Sequence, residues 1–357
     1  MSSSISGLTG GSYGLMQQLI ADSGATYARL SQLTTQSSTG YVAGTYAGLD
    51  NATTGSAAGA LSIAPQIAGI NNTVSTLNAV AGQMGVQQST ITTISQIATA
   101  ALSQFQQVNA ISPQSMTTAA ASARQAMVQI AGLLNTQDGS TYIFGGQNSG
   151  TAPVPNAPAI TSSSFFTAIQ SAVSGLATSG ASATTAAIFS AASTRSPFNA
   201  PIGTNTPLPQ VAGADGAMIT TGISATANAF VPSTGPDTTG SYMGDIMTAL
   251  ATIGSMSTAD VGTSGFAGFA ATTANTLSSA IGTMAQDAGV LGNNQASLAT
   301  QSTNLQATST ALSTQLASFD QVDMTSTLAN LSSTQTQLQA SYQLIAAMKT
   351  MSLTQYI

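Results

Sequence analysis

Asp320 and Asp323 are the two side chains whose types and spacing come nearest to a catalytic site. Three residues apart, they would share one face of a helix, where paired carboxylates can do acid–base chemistry. Such chemistry needs an opposing acid, base or metal ligand, and the sequence contains no histidine, cysteine or glutamate to supply one. Aspartate also caps helices by accepting hydrogen bonds from free backbone N–H groups. We therefore predict a helix break or an N-cap before residues 324–331.

Glycine-rich segments and serine nucleophiles give no further candidate for chemistry. The glycines at 262, 265 and 268 miss the spacing of a phosphate-binding loop, and no lysine directly follows them. Serine is abundant, but Lys349 is the only candidate for a neutral base, which disfavours nucleophilic catalysis. Gly40, Gly44 and Gly48 repeat every four residues, a spacing that favours turns and a kinked connector. We predict that the protein is not an enzyme and has no catalytic, cofactor-binding or metal-ligating residue.

The composition restricts the partners of the chain. Only 4% of the residues are charged, against about 25% in typical soluble proteins. The four cations are too scattered for nucleic-acid binding, which needs clustered positive charge: Arg29, Arg124, Arg195 and Lys349. Without cysteine, disulfides and thiolate metal sites are excluded. No apolar run is long enough for a membrane span, and no signal peptide is visible at the N-terminus.

Long helices must position any functional surface, because two parts of the chain carry apolar residues at heptad spacing. The C-terminal series has an apolar residue at every seventh position: Leu277, Met284, Leu291, Leu298, Leu305, Leu312 and Phe319. This period of 3.5 predicts a long helix packed lengthwise on another, a rod of roughly 65 Å. Polar residues at Gln295, Ser302 and Ser309 interrupt the apolar stripe, which lowers stability but restricts register and partner.

The N-terminal half offers a partner helix with the same spacing. Its apolar residues alternate in steps of three and four: Ile63, Ile67, Ile70, Val74, Leu77, Ala81 and Met84. Pro113 should end this helix, and a shorter one should follow with Met116, Ala120, Ala123, Met127, Ile130 and Leu134 on one face. We therefore predict a mainly α fold with long antiparallel helical rods formed by the N- and C-terminal segments.

A segment of different composition separates the two heptad regions. Nine of the eleven prolines lie between Pro153 and Pro236, in a stretch rich in Gly, Ser, Thr and Ala. It predicts a β-containing or irregular outer domain inserted between the rods, and full disorder is the alternative. Just before it, residues 141–146 (TYIFGG) predict a strand that leads into a turn. The predicted parts are an N-terminal core helix (1–40), a rod domain in two parts (41–150 and 241–319), an outer domain (151–240) and a C-terminal core helix (320–357).

The two chain ends carry more large apolar side chains than an exposed tail would tolerate. A terminal helix that is apolar on several faces must be buried, and burial between subunits explains this best. We therefore predict that the ends make the contacts of a homo-oligomer through Met16, Ile20, Tyr27, Leu30, Leu328, Leu331, Leu338, Tyr342, Ile345, Met348 and Leu353.

Several segments together resemble the bacterial flagellin family. Residues 33–40 (LTTQSSTG) are similar to the N-terminal signature of the family, and residues 138–146 (DGSTYIFGG) to the segment that leaves its inner rod. Residues 320–324 (DQVDM) resemble the start of the C-terminal core, and the ending 352–357 (SLTQYI) is most similar to hook-associated protein 3, a member of the family. One departure is Tyr41, where the family usually has a basic residue.

The resemblance implies a structural subunit of the flagellar filament that self-assembles through its terminal helices for motility. It also implies a helical homopolymer outside the cell on the bacterial flagellum, exported without a cleaved signal peptide. Other axial proteins and an export chaperone would be further partners. The hook–filament junction protein, hook-associated protein 3, is the alternative. A more distant alternative is a secreted surface adhesin that would use residues 151–240 for binding.

Overall fold

The computed structural model describes residues 6–52, 56–109, 111–200, 208–214, 216–235 and 237–354. The chain divides into two compact units. The first unit combines both chain ends, Met1–Asn72 and Gln306–Ile357, and the second comprises Thr73–Leu305. Long helices dominate both termini and the middle region is small and irregular, so the predicted mainly α fold class is confirmed. The five-part domain division stays a prediction.

The secondary structure consists of ten α-helices, two 3₁₀ turns and four short strands in the described residues. In chain order the elements are α1 Ser6–Thr39, α2 Tyr46–Ala52, α3 Ser56–Gln106, α4 Gln114–Leu134, β1 Gln137–Asp138, β2 Thr141–Tyr142, the 3₁₀ turns Gly146–Asn148 and Ala157–Ser162, α5 Ser164–Val173, α6 Leu176–Thr194, β3 Gln210–Ala212, β4 Met218–Thr220, α7 Tyr242–Ser255, α8 Thr258–Val261, α9 Phe266–Asp320 and α10 Met324–Thr354. The strands form two antiparallel hairpins, β1–β2 and β3–β4. The predicted strand before the turn is β2, and α3 ends before Pro113 as predicted.

Helices α3 and α9 run antiparallel, and hydroxyl and amide groups bond across their shared seam. In the second unit, Ser302 Oγ lies 2.7 Å from Asn78 Oδ1, and the Gln295 side-chain amide donates to the Ala81 carbonyl at 2.9 Å. The higher-numbered residue of α9 thus faces the lower-numbered residue of α3, which establishes the antiparallel direction. The apolar heptad residues around these layers are fully buried: Leu277, Met284, Leu291 and Leu298. In the first unit, Ser309 Oγ lies 2.9 Å from Asn71 Oδ1.

The segment that the sequence assigns to an outer domain shares the core of the second unit. Phe165 and Ile169 of α5 and Leu176 of α6 are buried in one apolar cluster with α4 and α7. The start of this segment is fixed to the end of α4, because Val154 exchanges two 2.8 Å hydrogen bonds with the Asn135 side chain. Residues 151–240 therefore belong to the same compact unit as their flanking helices. Their role as a solvent-facing outer domain stays a prediction.

A buried carboxylate anchors part of this segment to α9. Asp287 is completely buried and accepts hydrogen bonds from the backbone N–H groups of Ala229, Phe230 and Val231 at 2.9, 2.7 and 2.8 Å. It also accepts one from the Tyr242 hydroxyl at 2.9 Å. Burial, followed by the facing carboxylate, raises the pKa of Tyr242 well above its usual value. The four donors hold residues 229–231 and α7 against α9.

Candidate functional site

The candidate site is the helix pair α1–α10 in the first unit. The pair begins where backbone hydrogen bonds join residues 40–42 to residues 320–322, a feature that we call the clasp. Helix α1 ends at Thr39, and Gly40 adopts φ +77°, a left-handed conformation that favours glycine. The Val42 N–H donates to the Asp320 carbonyl at 2.8 Å, and the Val322 N–H donates to the Gly40 carbonyl at 3.0 Å. This bridge joins the end of α1 to the start of α10, so the two helices pack on each other in antiparallel directions.

Asp323 fixes the start of α10. Its carboxylate accepts from the N–H groups of Thr325 at 2.9 Å and Ser326 at 3.3 Å, and from the Ser326 hydroxyl at 3.0 Å. The hydroxyl bond of Ser326 and then the two backbone bonds lower the pKa of Asp323. Helix α9 ends at Asp320 and α10 begins at Met324, which confirms the predicted helix break and N-cap. The aspartate pair is thus structural, because one of its carboxylates is occupied as a helix cap.

A seam of residues three and four positions apart packs the two helices together. On α1 its members are buried or half-buried: Leu19, Ser23, Thr26, Leu30, Leu33 and Ser37. On α10 the corresponding members are Thr327, Leu331, Thr334, Leu338, Ser341 and Ile345. The step of three and four is the signature of lengthwise helix packing. Half of the seam residues are serine or threonine, whose burial stabilises a helix pair far less than that of leucine or isoleucine.

The residues predicted to make subunit contacts fall into three groups. Four are largely exposed: Ile20 (56%), Tyr27 (61%), Leu328 (51%) and Tyr342 (53%). Four others lie in the seam within the subunit: Leu30, Leu331, Leu338 and Ile345. The side chains of Met16, Met348 and Leu353 lie outside the part of the chain that the structure describes. The structure therefore separates side chains that pack within the subunit from side chains that remain available to a partner.

Two exposed apolar side chains of α10 were absent from the predicted set. Leu344 is 54% exposed and Met324 is 40% exposed. Their apolar character was visible in the sequence, but the predicted stripe followed the three–four spacing and left them out. They enlarge the apolar surface of the C-terminal helix.

Aspartates are the residues to consider for a metal site, since the sequence has no histidine, cysteine or glutamate. No group of three or more histidine, cysteine, aspartate or glutamate side chains that could hold a metal ion occurs among the described residues. Asp245 and Asp237 line a cavity of about 200 Å³ in the second unit. The hydroxyls of Thr238 and Thr239 already occupy the Asp245 carboxylate at 2.6 and 2.8 Å. Burial raises the pKa of Asp245, against the opposing effect of these bonds. No described helix has the length and apolarity to cross a membrane.

Comparison with known protein families gives a match in the C-terminal helices of the chain. Residues 275–357 match the family model of the bacterial flagellin C-terminal helical region. This match supports the resemblance of the chain to bacterial flagellins. The matched segment contains most of α9 and all of α10, and therefore the exposed Leu328 and Tyr342. Flagellins are structural proteins of the extracellular flagellar filament, and the match supports a flagellin-like structural role. No curated protein sequence matches the chain.

Proposed function

We propose that this flagellin-family chain is a subunit of the bacterial flagellar filament, which self-assembles through its terminal helices and supports motility. The observation that carries the proposal is the exposure of Ile20, Tyr27, Leu328 and Tyr342 on the α1–α10 pair. Full burial of a side chain of this size is worth about 1.5–3 kcal/mol, so four half-exposed ones have about 3–6 kcal/mol left to gain from a neighbour. A family whose members polymerise offers that neighbour as a second copy of the chain.

The seam supplies a second reason for assembly through this helix pair. Because serine and threonine fill half of it, α1 and α10 stabilise each other less than an all-leucine pair would. Contacts with neighbouring subunits would add the missing apolar burial. We propose the full predicted set of eleven residues as subunit contacts, with Leu30, Leu331, Leu338 and Ile345 acting through the packing of the pair. The proposal includes a non-enzymatic role, an extracellular location, and other axial proteins and an export chaperone as additional partners.

The hook–filament junction protein is the second candidate. The ending SLTQYI (352–357) and the run TYIFGG (141–146) resemble hook-associated protein 3 more than other members of the family. Both candidates use terminal helices for assembly and differ in the extent of the polymer. The secreted adhesin is weaker, because residues 151–240 contribute buried side chains to the core of the second unit.

Electron microscopy and sedimentation of the purified full chain test the proposal. Filaments of micrometre length made of this chain alone support the filament subunit, whereas short rings or caps on hooks support the junction protein. The chain without residues 325–357 should remain helical by circular dichroism and fail to sediment as a polymer. Long filaments from that truncated chain would show that the C-terminal helix is not needed, and the proposed mechanism would be wrong.

A further inference from the structure

The exposed residues of the α1–α10 pair are distributed unequally about the seam. One flank consists of the residues that directly follow Leu19, Thr26 and Leu33 on α1 and Thr327, Thr334 and Ser341 on α10. We call this the apolar flank: Ile20, Tyr27, Thr34, Leu328, Gln335 and Tyr342. The other flank consists of the residues that directly precede the remaining seam positions. We call this the polar flank: Asp22, Arg29, Gln36, Asn330, Gln337 and Leu344.

The antiparallel direction places each of these sets on one side of the pair. A rotation by 180° about an axis perpendicular to the plane of the pair interchanges two antiparallel helices. This rotation leaves the front of the pair at the front, so residues that directly follow a seam position lie on the same side of both helices. The residues of the apolar flank on α1 and on α10 therefore lie side by side, and so do the residues of the polar flank. In a parallel pair the two flanks would mix. Two surfaces of different chemistry thus run along the pair.

The register of the clasp makes the apolar flank continuous. Tyr41 pairs with Gln321 in the bridge, so equal counts along α1 and α10 give residues at the same level to within about one helical turn. Ile20 precedes Tyr41 by 21 residues and Tyr342 follows Gln321 by 21, which places these two apolar side chains near the same level of the pair. By the same count, Tyr27 is level with Gln335 and Thr34 with Leu328. Each level of the apolar flank therefore holds at least one large apolar side chain.

We propose that neighbouring copies of this chain pack on the apolar flank and leave the polar flank exposed to water. This inference rests on the proposed function and specifies which side of the helix pair makes the contact. The charge of this surface indicates its binding partner. None of the six residues of the apolar flank is charged. A charged partner would have to bury its charges there without counter-charges, which is unfavourable. A second copy offers an equally uncharged surface, since only 4% of its residues are charged.

The polar flank is unsuited to the same contact. It carries Asp22 and Arg29, which are the only charged side chains of α1, and both are exposed. Burying them against an uncharged neighbour would remove their hydration without supplying partners. Leu344 is the exception on this flank, and it provides a matched control. Leu328 and Leu344 lie on the same helix with exposed fractions of 51% and 54%, but on opposite flanks.

The test compares Leu328→Gln with Leu344→Gln in the full chain. Glutamine has a helix propensity close to that of leucine, so both variants should retain the helix content of the parent. Leu328→Gln should raise the critical concentration for polymerisation by roughly tenfold, since it removes an apolar contact between subunits. Leu344→Gln should leave it within about twofold, as expected for an exposed surface substitution. Sedimentation at a series of protein concentrations measures both values.

A second measurement reports accessibility directly and uses the absence of native cysteine. Single variants Leu328→Cys and Leu344→Cys are treated with a maleimide as monomers and as polymers. The thiol at 328 should be protected in the polymer, and the thiol at 344 should react as it does in the monomer. Equal effects at both positions, or a larger effect at 344, would overturn the sidedness alone. A parent chain that does not polymerise would overturn the proposed function and this inference with it.

Discussion

Asparagine in place of Asp287 should destabilise the second unit by about 1–3 kcal/mol or more, because buried donors lose their acceptor. In the native chain, Asp287 Oδ1 accepts from Phe230 and Val231, and Oδ2 accepts from Ala229 and the Tyr242 hydroxyl. Asparagine can keep its oxygen at the Oδ1 position and place its NH₂ at the other. The Tyr242 hydroxyl can then rotate and accept from the NH₂, but the backbone N–H of Ala229 cannot change its role. The Ala229 N–H is left without an acceptor, and so is the Tyr242 hydroxyl proton, which donates to the native carboxylate.

Alanine at the same position removes every acceptor and should cost more. Four hydrogen bonds to a charged acceptor are lost, each worth roughly 1.5–3 kcal/mol, and water that enters the vacated space restores only part of this. We expect a loss of about 4 kcal/mol or more for Asp287→Ala, in the range that marks a broken buried network. For a unit of this size, each kcal/mol corresponds to a decrease in Tm of about 2–4 °C.

Urea unfolding of the monomer provides the assay, with far-ultraviolet circular dichroism and tyrosine fluorescence as probes. The chain has no tryptophan, so its eight tyrosines, including the buried Tyr242, report without interference. Asp138→Asn is the matched control, because Asp138 lies exposed in the β1–β2 hairpin and its substitution should change stability by less than about 0.5 kcal/mol. If Asp287→Asn costs no more than this control, the carboxylate does not anchor residues 229–231 and our account of the second unit is wrong.

Three further predictions concern capping, the seam and salt. Asp323→Ala should lower the thermal stability of α10 at neutral pH. Because folding lowers the pKa of Asp323 from 3.8, the stability that the cap contributes is present above pH 3.8 and is lost as the pH falls through the pKa of the folded state. Thermal melts of the parent and the variant, recorded by circular dichroism, should therefore converge in acid. Asn78→Ala should cost about 1–2 kcal/mol in urea unfolding, because the buried Ser302 hydroxyl loses its partner, and an unchanged midpoint would contradict that role. Assembly measured by sedimentation should change little between low salt and about 0.5 M salt, since apolar contacts are not screened, and dissociation by salt would count against contacts of this kind.

The pairing of α3 with α9 could be predicted from the sequence because large apolar residues mark both faces of that seam. Met84 on α3 and Leu291 on α9 are fully buried, as their spacing indicated. Helix boundaries near Pro113 and Asp323 followed from local chemistry, since proline and an N-terminal cap act within a few residues. Such features depend only on neighbours in the sequence, which is why the sequence was sufficient.

The seam of α1 with α10 was harder to identify, because half of its residues are small and hydroxylated. A search for large apolar residues finds Tyr27 and Leu328, which the structure leaves exposed, and passes over Ser23 and Thr334, which are buried. The three–four spacing is present in both sets, so spacing without burial could not choose between them. The hydrogen bonds of Asp287 also could not be predicted from the sequence. Its backbone donors lie 56 to 58 residues away along the chain, and only the tertiary fold brings them to the carboxylate.

Because the chain has few charged residues, polar residues within the seam must select the register of the helix pair, which charged residues beside the seam usually do. In most lengthwise helix pairs, glutamate and lysine beside the seam select the register, and the apolar layers supply stability. Here the register of α3 against α9 must come from within the seam, through Asn78 with Ser302 and Gln295 with the Ala81 carbonyl. A shift of three or four residues would set these amides against leucine and leave buried polar groups unpaired, at about 1–3 kcal/mol for each group. The polar layers therefore lower stability but disfavour shifts of three or four residues, in which these amides and hydroxyls would lose their partners. A chain with so few charges can in this way use uncharged polar side chains to align a long helix pair.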